Sequence, residues 1–337
     1  MNGKELPLFL QTAALPLGWA DVWNTARTLR AKYWENTVYL RGIIEFSNYC
    51  RQNCWYCGLR RDNRALFRYR MTPDAIFAAA QAASRLGLGT VVLQAGEDPA
   101  FSAVEIATCV ARIKKELGLA VTLSVGEHDK AVYALWREAG ADRYLLKIES
   151  ANEANYARLR PGKTLASRLA CLADLAALGY ELGTGFITGL PGEAEDDFAR
   201  GLDLLAELKP DMLSLGPFVP HPETPLRHAP SASATMNLHC LAQARICLPW
   251  AHIPVTSALG LHGDDLRLAA LEVANVLMPS FTPEEVRQAY SIYPGKNADA
   301  RGPEQRTADF STMLVQAGFV LGSGPGGAWR RMKMENV

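Results

Sequence analysis

Three of the seven cysteines of this chain lie within eight residues, as Cys50, Cys54 and Cys57 in the spacing C-x3-C-x2-C. They follow a β-branched and aromatic run over 37–46 that is typical of a β-strand. Zinc sites and ordinary ferredoxin clusters take four protein ligands, and no fourth ligand is evident here. Because three thiolates on a cubane leave one iron open, the spacing predicts a site at which a small molecule supplies the last ligand.

The composition narrows the class of protein. The chain has 337 residues, with 35 Lys plus Arg and 35 Asp plus Glu, so its formal net charge is zero. This balance argues against a general nucleic-acid binder, and an odd number of cysteines does not suit a disulfide framework. The sequence shows neither a secretory signal nor the roughly 20 apolar residues of a membrane span. We therefore expect a cytoplasmic protein with no membrane or nucleic-acid partner.

Short apolar runs alternate with helical patterns along most of the chain. Such alternation predicts βα units and a parallel sheet, and eight units suit a closed (β/α)8 TIM-type barrel of the α/β class. We expect an N-terminal helical extension over 1–36, the barrel over 37–296 and a C-terminal extension packed on the barrel over 297–337. The eight predicted strands cover residues 37–46, 90–94, 120–124, 143–148, 181–187, 212–215, 253–258 and 274–278.

Polar residues gather where these predicted strands end. In a barrel of this kind the active site forms at the carboxyl ends of the strands. Seven of the eight ends carry groups that can coordinate or hydrogen-bond, which a purely structural barrel does not require. Besides the cysteines, these groups are Gly96, Glu97 and Asp98 after the second strand, Glu127 and His128 after the third, Lys147 and Glu149 at the fourth, Gly185 in the fifth, His221 after the sixth, and Thr256 and Ser257 in the seventh.

The cysteine loop resembles the signature of the radical S-adenosylmethionine (SAM) enzymes, in which an aromatic residue, here Tyr56, precedes the last cysteine. The resemblance implies that Cys50, Cys54 and Cys57 hold one 4Fe–4S cluster and that the amino and carboxylate groups of SAM bind the open iron. It also implies reductive cleavage of SAM to a 5′-deoxyadenosyl radical. The cofactor would carry the chemistry, while the protein would bind and position the substrate.

Further segments are similar to the HydE-type maturases of FeFe-hydrogenase, which are related to methylornithine synthase and biotin synthase. The resemblance implies radical processing of a cysteine-ligated iron carbonyl-cyanide precursor during H-cluster maturation. It implies three kinds of partner: a small-molecule substrate, a reductant such as flavodoxin or ferredoxin, and the other hydrogenase maturases. The matching segments are RQNCWYCGLRRDN at 51–63, YRMTP at 69–73, GEDP at 96–99, ADRYLL at 141–146, GLPG at 189–192, GPFVPHPETPL at 216–226 and YSIYPGK at 290–296.

The same resemblance implies roles for individual residues around the two ligands. The implied SAM contacts are Tyr56 and Gly185 near the adenine, Gly96, Glu97 and Asp98 at the methionyl amino group, Glu149 at the ribose, Arg168 at the methionyl carboxylate, and Tyr290. The implied substrate contacts are Thr256, Ser257, Tyr293 and His221.

Two features depart from the family pattern. Lys147 and Ile148 stand where many members have Arg-His before the acid of the fourth strand, so the positive charge is kept and the imidazole is lost. Some members bind a second cluster through C-terminal cysteines. Since no cysteine follows Cys247 in this chain, we expect a single cluster.

Other interpretations of these residues stay open. The clustered cysteines could hold structural zinc, Glu97 and Asp98 could cap the next helix, and His221 could be fixed in a rigid turn between prolines. The five arginines of residues 59–70 could form a solvated face or meet an anionic ligand. The remaining cysteines lie on apolar helical faces, as small core residues do: Cys109, Cys171, Cys240 and Cys247.

Two alternative functions also remain. One is a radical SAM mutase or synthase that acts on a small amino acid, as methylornithine synthase does, and it would share the whole site around SAM. The other is a non-enzymatic iron–sulfur carrier, which would hold a cluster without cleaving SAM. Formation of 5′-deoxyadenosine separates the carrier from the two enzymes.

Overall fold

The computed structural model of the chain describes residues 18–194 and 196–334, in which helices and short strands alternate. The strands are β1 Thr37–Leu40, β2 Gly42–Ser47, β3 Thr90–Ala95, β4 Ala120–Ser124, β5 Arg143–Leu145, β6 Glu181–Thr184, β7 Ile187–Thr188, β8 Met212–Leu213, β9 Gly216–Pro217, β10 Val276–Leu277 and β11 Val320–Leu321. The helices are α1 Trp19–Trp34, α2 Pro73–Arg85, α3 Ala103–Leu117, α4 Lys130–Glu138, α5 Glu153–Leu159, α6 Leu165–Ala177, α7 Asp197–Leu208, α8 Ala234–Cys247, α9 Ser257–Gly260, α10 Asp264–Leu271, α11 Glu284–Arg287, α12 Pro303–Gln316 and α13 Trp329–Met334.

The strands close into a ring. A continuous parallel sheet runs in the order β2-β3-β4-β5-β6-β8. Parallel bridges from Met212 to His252 and from Pro254 to Val276 extend the ring across the seventh strand. β10 then pairs with β1, with Tyr39 beside Val276, and β1 continues into β2 after Arg41. The chain is therefore a closed barrel of eight parallel strands, and the predicted (β/α)8 fold is confirmed.

Local sequence signals explain where several of the outer helices begin. Thr72 accepts a hydrogen bond from the backbone of α2, and Pro73 occupies the first helical position, where proline costs no hydrogen bond. Ser102 and Glu105 form a reciprocal capping box at the start of α3. These caps fix the residue at which each helix begins, and so they fix which side chains of the helix face the sheet.

The C-terminal tail closes the amino-terminal end of the barrel. Arg41 and Arg143 donate hydrogen bonds to the Gly326 carbonyl at 3.0 and 3.2 Å, and Nε2 of His252 lies 3.0 Å from the Gly327 carbonyl. Burial holds the pKa of His252 well below its usual value, so the imidazole is neutral and donates through Nε2. The tail thus provides acceptors for side chains that the barrel buries at this end.

The seventh strand is shorter than the sequence predicts, and parts of both predicted extensions lie outside the described residues. The seventh strand, predicted over 253–258, ends earlier: the Thr256 side chain caps α9, which begins at Ser257. Residues 1–17 of the predicted N-terminal extension and residues 335–337 of the C-terminal one lie outside the described residues, and the domain boundaries at 36 and 296 stay predictions. In the described part of the chain, no helix is both long and apolar enough to span a bilayer.

Replacing Arg143 with methionine tests how much this closure stabilises the barrel. Arg143 pairs with Glu181 and donates to the Thr90 hydroxyl and to the Pro325 carbonyl, at 3.0 Å each. The variant leaves the Glu181 carboxylate buried without its cation. We expect the free energy of unfolding, measured by urea titration, to fall by about 3–5 kcal/mol.

The control is Arg301→Met. Arg301 is half exposed and pairs with Asp299 and Asp309 at the surface, so its loss should cost about 1 kcal/mol or less. Equal destabilisation of the two variants would show that the buried Arg143 contacts do not stabilise the barrel as described.

Candidate functional site

A cavity of about 310 Å³ opens at the carboxyl ends of the barrel strands. Its volume lies at the lower end of the range of about 300–1,000 Å³ that small-molecule sites occupy. Every strand of the barrel contributes to its wall, so the predicted position of the site is where the structure has a cavity. Most of the predicted site residues line it: Cys50, Cys54, Tyr56, Cys57, Gly96, Glu97, Glu149, Arg168, Thr256, Ser257, Tyr290 and Tyr293.

The cysteine loop is held against the end of β3. The Arg51 backbone N–H donates to the Glu97 carbonyl at 2.9 Å, and that of Gly96 donates to the Ser47 carbonyl at 3.2 Å. A Cβ on Gly96 would lie 2.2 Å from the Tyr49 carbonyl oxygen and 2.8 Å from the Cys50 Cβ. Only glycine permits this approach, so Gly96 positions the first cysteine through its backbone.

The three thiols share one desolvated environment. Burial raises the pKa of Cys50 to about 11, and it also raises the pKa of Cys54. Burial raises the pKa of Cys57 as well, and the thiols of Cys50 and Cys54 raise it further. Within residues 18–194 and 196–334, no three His, Cys, Asp or Glu side chains converge on a single metal ion. Thiols in this setting ionise only beside a strongly positive centre, which a bound metal cluster supplies.

Glu149 lies in the cavity wall with a strained backbone. Its φ of 61° is rarely adopted by residues other than glycine, and hydrogen bonds of 3.0 Å to the Gly185 carbonyl and from the Ile187 N–H hold it there. The Oε2 atom of its carboxylate lies 3.1 Å from Lys147 Nζ. Strain of this kind is typical of functional positions, and a carboxylate paired with one lysine can still accept a hydrogen bond from a ligand hydroxyl.

Arg160 is a cavity residue that the sequence did not indicate. Its guanidinium lies 3.6 Å from both Glu97 and Glu127, and it donates to the Tyr156 hydroxyl at 2.9 Å. Its Nε is buried without a partner, although buried polar groups are normally hydrogen-bonded. A guanidinium with a spare donor suits a carboxylate ligand. The cationic run RPGK at 160–163 was the only sequence signal for it.

Arg168 and Lys163 complete the charged wall beside Arg160. Arg168 Nε lies 2.9 Å from the Glu127 carboxylate, and Lys163 Nζ lies 2.7 Å from it. Glu127 follows the third strand of the barrel, β4, and Arg160, Lys163 and Arg168 follow the fourth, β5. Arg160 and Arg168 therefore present positive charge on this side of the cavity, with an unpartnered donor at Arg160 Nε, as a carboxylate ligand requires.

The opposite wall comes from the seventh and eighth strands. The Ser257 and Tyr293 hydroxyls hydrogen-bond to each other, and Thr256 lines the wall beside them. Lys296, which the sequence analysis did not single out, also lines the cavity and donates to buried Glu45 at 2.6 Å. Because strands seven and eight lie across the ring from strands three and four, this wall faces the charged one.

Three predicted site residues do not line the cavity. The Asp98 carboxylate accepts hydrogen bonds from Arg70 and Ser47, at 2.6 Å each. Gly185 packs under the wall, where a Cβ would lie 2.0 Å from the Ser214 carbonyl oxygen. His221 Nε2 lies 3.2 Å from the Ser291 hydroxyl. These positions support the loops around the cavity, and their predicted ligand contacts stay predictions.

The chain resembles known proteins along most of its length. Residues 44–205 match the family model of the Radical SAM superfamily. The chain is 48% identical over 276 residues to the FeFe hydrogenase maturase subunit HydE of Thermotoga maritima, which covers 82% of this chain and 79% of that protein. It is 29% identical over 266 residues to the 3-methylornithine synthase of Methanosarcina acetivorans, covering 78% and 75% of the two chains. The crystal structure of methylornithine synthase is similar with a TM-score of 0.82 at 25% identity, over 98% of this chain and 97% of that one.

Substituting one loop cysteine tests whether the three thiols act together. We expect Cys54→Ala, after anaerobic reconstitution, to lose the iron and sulfide of the wild-type chain and its visible iron–sulfur absorbance, since two thiols cannot retain the cluster. Cys109→Ala is the control, because Cys109 lies on the buried face of α3, in the core. Unchanged iron and sulfide in Cys54→Ala, with both variants folded by circular dichroism, would exclude this cysteine as a ligand.

Proposed function

Because the chain belongs to the radical SAM superfamily and to its HydE family, we propose that it acts as a maturase of FeFe-hydrogenase. It is a radical SAM enzyme, and its cofactors are a 4Fe–4S cluster and SAM. Reductive cleavage of SAM supplies a 5′-deoxyadenosyl radical. The observation that carries the maturase assignment is the 48% identity to HydE over 82% of the chain. The cavity beside the three cysteines, with charged residues on one wall, supports it.

The cysteine loop is the proposed cluster site, with Cys50, Cys54 and Cys57 as its ligands. The support is chemical: three desolvated thiols line one cavity, and the family cofactor takes three cysteines and leaves one iron for SAM. The neighbouring Arg160 favours the thiolate form, since its charge opposes the rise in the pKa of Cys54. The protein's part is to hold three thiolates at one wall of a water-poor cavity.

SAM is proposed to bind between the cysteine loop and the wall formed by strands two to four. Arg160 has a free buried donor, and Arg168 lies beside it, so these two guanidiniums are the proposed partners of the methionyl carboxylate. Glu149, a carboxylate in the cavity wall, is the proposed partner of the ribose hydroxyls. Glu97 completes the polar wall near the methionyl amino group, and Tyr56 covers the cysteine side.

The substrate is proposed to bind against the opposite wall, near Thr256, Ser257 and Tyr293. For a HydE-type enzyme, that substrate is the cysteine-ligated iron carbonyl-cyanide precursor of the H-cluster. Hydroxyl groups at this wall can orient the polar part of a small substrate while the barrel excludes water. The reaction also needs a reductant, which we propose to be a flavodoxin or ferredoxin, and the product passes to the other maturases. We also propose that the protein acts in the cytoplasm.

The second candidate is a synthase that acts on an amino acid. It is favoured by the likeness to methylornithine synthase, which spans 98% of the chain at a TM-score of 0.82. The two candidates share the SAM wall and differ in what the wall near Tyr293 recognises. The sequence identity of 29% to the synthases against 48% to HydE places the maturase first.

Glu149→Gln tests the ribose-side role. The variant keeps the size of the side chain and removes its charge. Because a hydrogen bond to a charged group is worth about 1.5–3 kcal/mol, we expect the Kd for SAM, measured calorimetrically on the reconstituted protein, to rise by roughly ten- to a hundredfold. Glu153→Gln, four residues on and exposed at the start of α5, should leave the Kd as it is. A wild-type Kd in Glu149→Gln would remove this residue from the SAM site.

The function itself is tested by a maturation assay. Reconstituted protein, SAM, a reductant and the other maturation proteins are mixed with apo FeFe-hydrogenase, and hydrogen evolution is measured with and without this chain. We expect activity to depend on the chain and 5′-deoxyadenosine to form. Conversion of an amino acid to 3-methylornithine, without hydrogenase activation, would instead establish the synthase. A cluster without any 5′-deoxyadenosine would indicate an iron–sulfur carrier.

A further inference from the structure

A strongly basic segment surrounds the cysteine loop. Residues 48–70 contain six arginines and one acidic residue, Asp62, a formal charge of +5 in a chain whose formal net charge is zero. Arg51 forms an ion pair with Glu97 of the cavity wall at 3.2 Å, and none of the six arginines is itself a proposed contact of SAM or substrate. The positive charge is therefore a local property of this surface and needs a separate explanation.

Arg60 and Arg68 are the less exposed of the six arginines, and Arg68 holds the segment in shape. Arg68 donates hydrogen bonds to the carbonyls of Leu59 at 3.0 Å, Arg60 at 2.8 Å and Asn63 at 3.2 Å. The Arg61 backbone N–H donates to the Gln52 carbonyl at 2.8 Å. The basic segment is thus an ordered loop that is bound directly to the cysteine loop.

The outer side of this loop is exposed. We define the arginine patch as Arg51, Arg61, Arg64 and Phe67. The side chains of Arg51 and Arg61 are 52% and 62% exposed, Phe67 is 69% exposed, and Arg64 is exposed as well. Asp62 pairs with Arg61 and Glu97 pairs with Arg51 at 3.2 Å, so these two charges are partly offset and Arg64 adds a third. A large exposed aromatic among arginines is the composition that protein interfaces favour.

The patch lies on the outer side of the proposed cluster site. Arg51 directly follows Cys50 in the chain, and its backbone is bound to Glu97 in the cavity wall. The Phe67 carbonyl accepts a hydrogen bond of 2.7 Å from Asn48, two residues before Cys50. The cavity opens on the inner side of the same cysteines. A protein bound to the patch would therefore approach the cysteine loop without blocking the cavity.

We propose that the arginine patch is the docking surface for a negatively charged one-electron carrier protein that reduces the cluster. The inference rests on the proposed function, because cleavage of SAM consumes an electron that must come from outside the chain. The carrier gives up one electron and the three-cysteine centre receives it. Since electron transfer slows steeply with distance, the surface beside the cysteine loop is the most effective place for the carrier to bind.

Charge complementarity decides between partners. Oppositely charged surfaces raise the rate of encounter and orient the partners without requiring a large interface, and redox encounters are typically small. A nucleic acid would use a longer row of cations to follow its phosphates, whereas this patch has three exposed arginines and one exposed phenylalanine. The small number of cations favours a carrier protein.

The test uses charge reversal with a matched control. The double variant Arg61→Glu/Arg64→Glu changes the patch. The control Arg85→Glu/Lys115→Glu makes the same change in charge on two exposed side chains in the last turns of α2 and α3. Those helix ends lie at the other end of the barrel, because the helices run antiparallel to the strands. Both variants are reconstituted, and their iron content is compared with that of the wild type.

Two reductants are compared in stopped-flow experiments that follow the absorbance of the cluster. With a photoreduced flavodoxin at low salt, we expect the patch variant to be reduced about tenfold or more slowly than wild type, and the control to match wild type. High salt should remove most of the difference. With methyl viologen radical cation, which needs no docking surface, all three proteins should be reduced and should form 5′-deoxyadenosine. Phe67→Ala should slow flavodoxin alone.

The outcomes separate the two proposals. Equal flavodoxin rates in the patch and control variants would overturn the docking surface while methyl viologen still supports SAM cleavage. Absence of cluster reduction or of 5′-deoxyadenosine with methyl viologen in the wild type would overturn the proposed function. Direct binding is measured with oxidised flavodoxin and with a short DNA duplex. Tighter binding of the duplex, lost in the patch variant, would identify a nucleic-acid site instead.

Discussion

The buried carboxylate of Glu45 joins the first and last strands of the barrel. It accepts hydrogen bonds from Lys296 at 2.6 Å and from Ser280 at 2.9 Å, and the Thr282 hydroxyl bonds to both its carboxylate and its backbone N–H. Burial alone would raise the pKa of Glu45, but Lys296 and the hydroxyls outweigh it and lower the pKa. A buried ion pair is tolerated when its remaining hydrogen bonds are satisfied, and here they are.

The position of this pair explains its importance for the site. Glu45 lies five residues before Cys50, and Lys296 lies in the cavity wall three residues after Tyr293. The same interaction therefore closes the barrel, fixes the strand that delivers the cysteines and holds the wall on the proposed substrate side. At the opposite end, the C-terminal tail binds Arg41, Arg143 and His252. Stability and chemistry are thus divided between the two ends, as is usual for barrels of this fold.

The site residues that the sequence predicted are those that lie in a recognisable local motif. The cysteine loop and Glu149 were visible in the sequence because each ends a strand and carries an unusual residue type or motif. Arg160 and Lys296 were not, because each follows an irregular segment, and a single cation in such a segment usually faces solvent. Asp98 is adjacent to Glu97 in sequence but pairs with Arg70, and its predicted contact with SAM stays a prediction.

By itself, the sequence determined the alternation of strands and helices, the parallel barrel, the thiol triad and the family, since these depend on periodicity and on short contiguous motifs. Only the tertiary structure decided which polar residues share the cavity. It brought Arg160 between Glu97 and Glu127, held Glu149 in its strained conformation through Gly185 and turned three arginines outward beside the cysteines. These outcomes depend on contacts between residues far apart in the chain, which periodicity and local motifs do not encode.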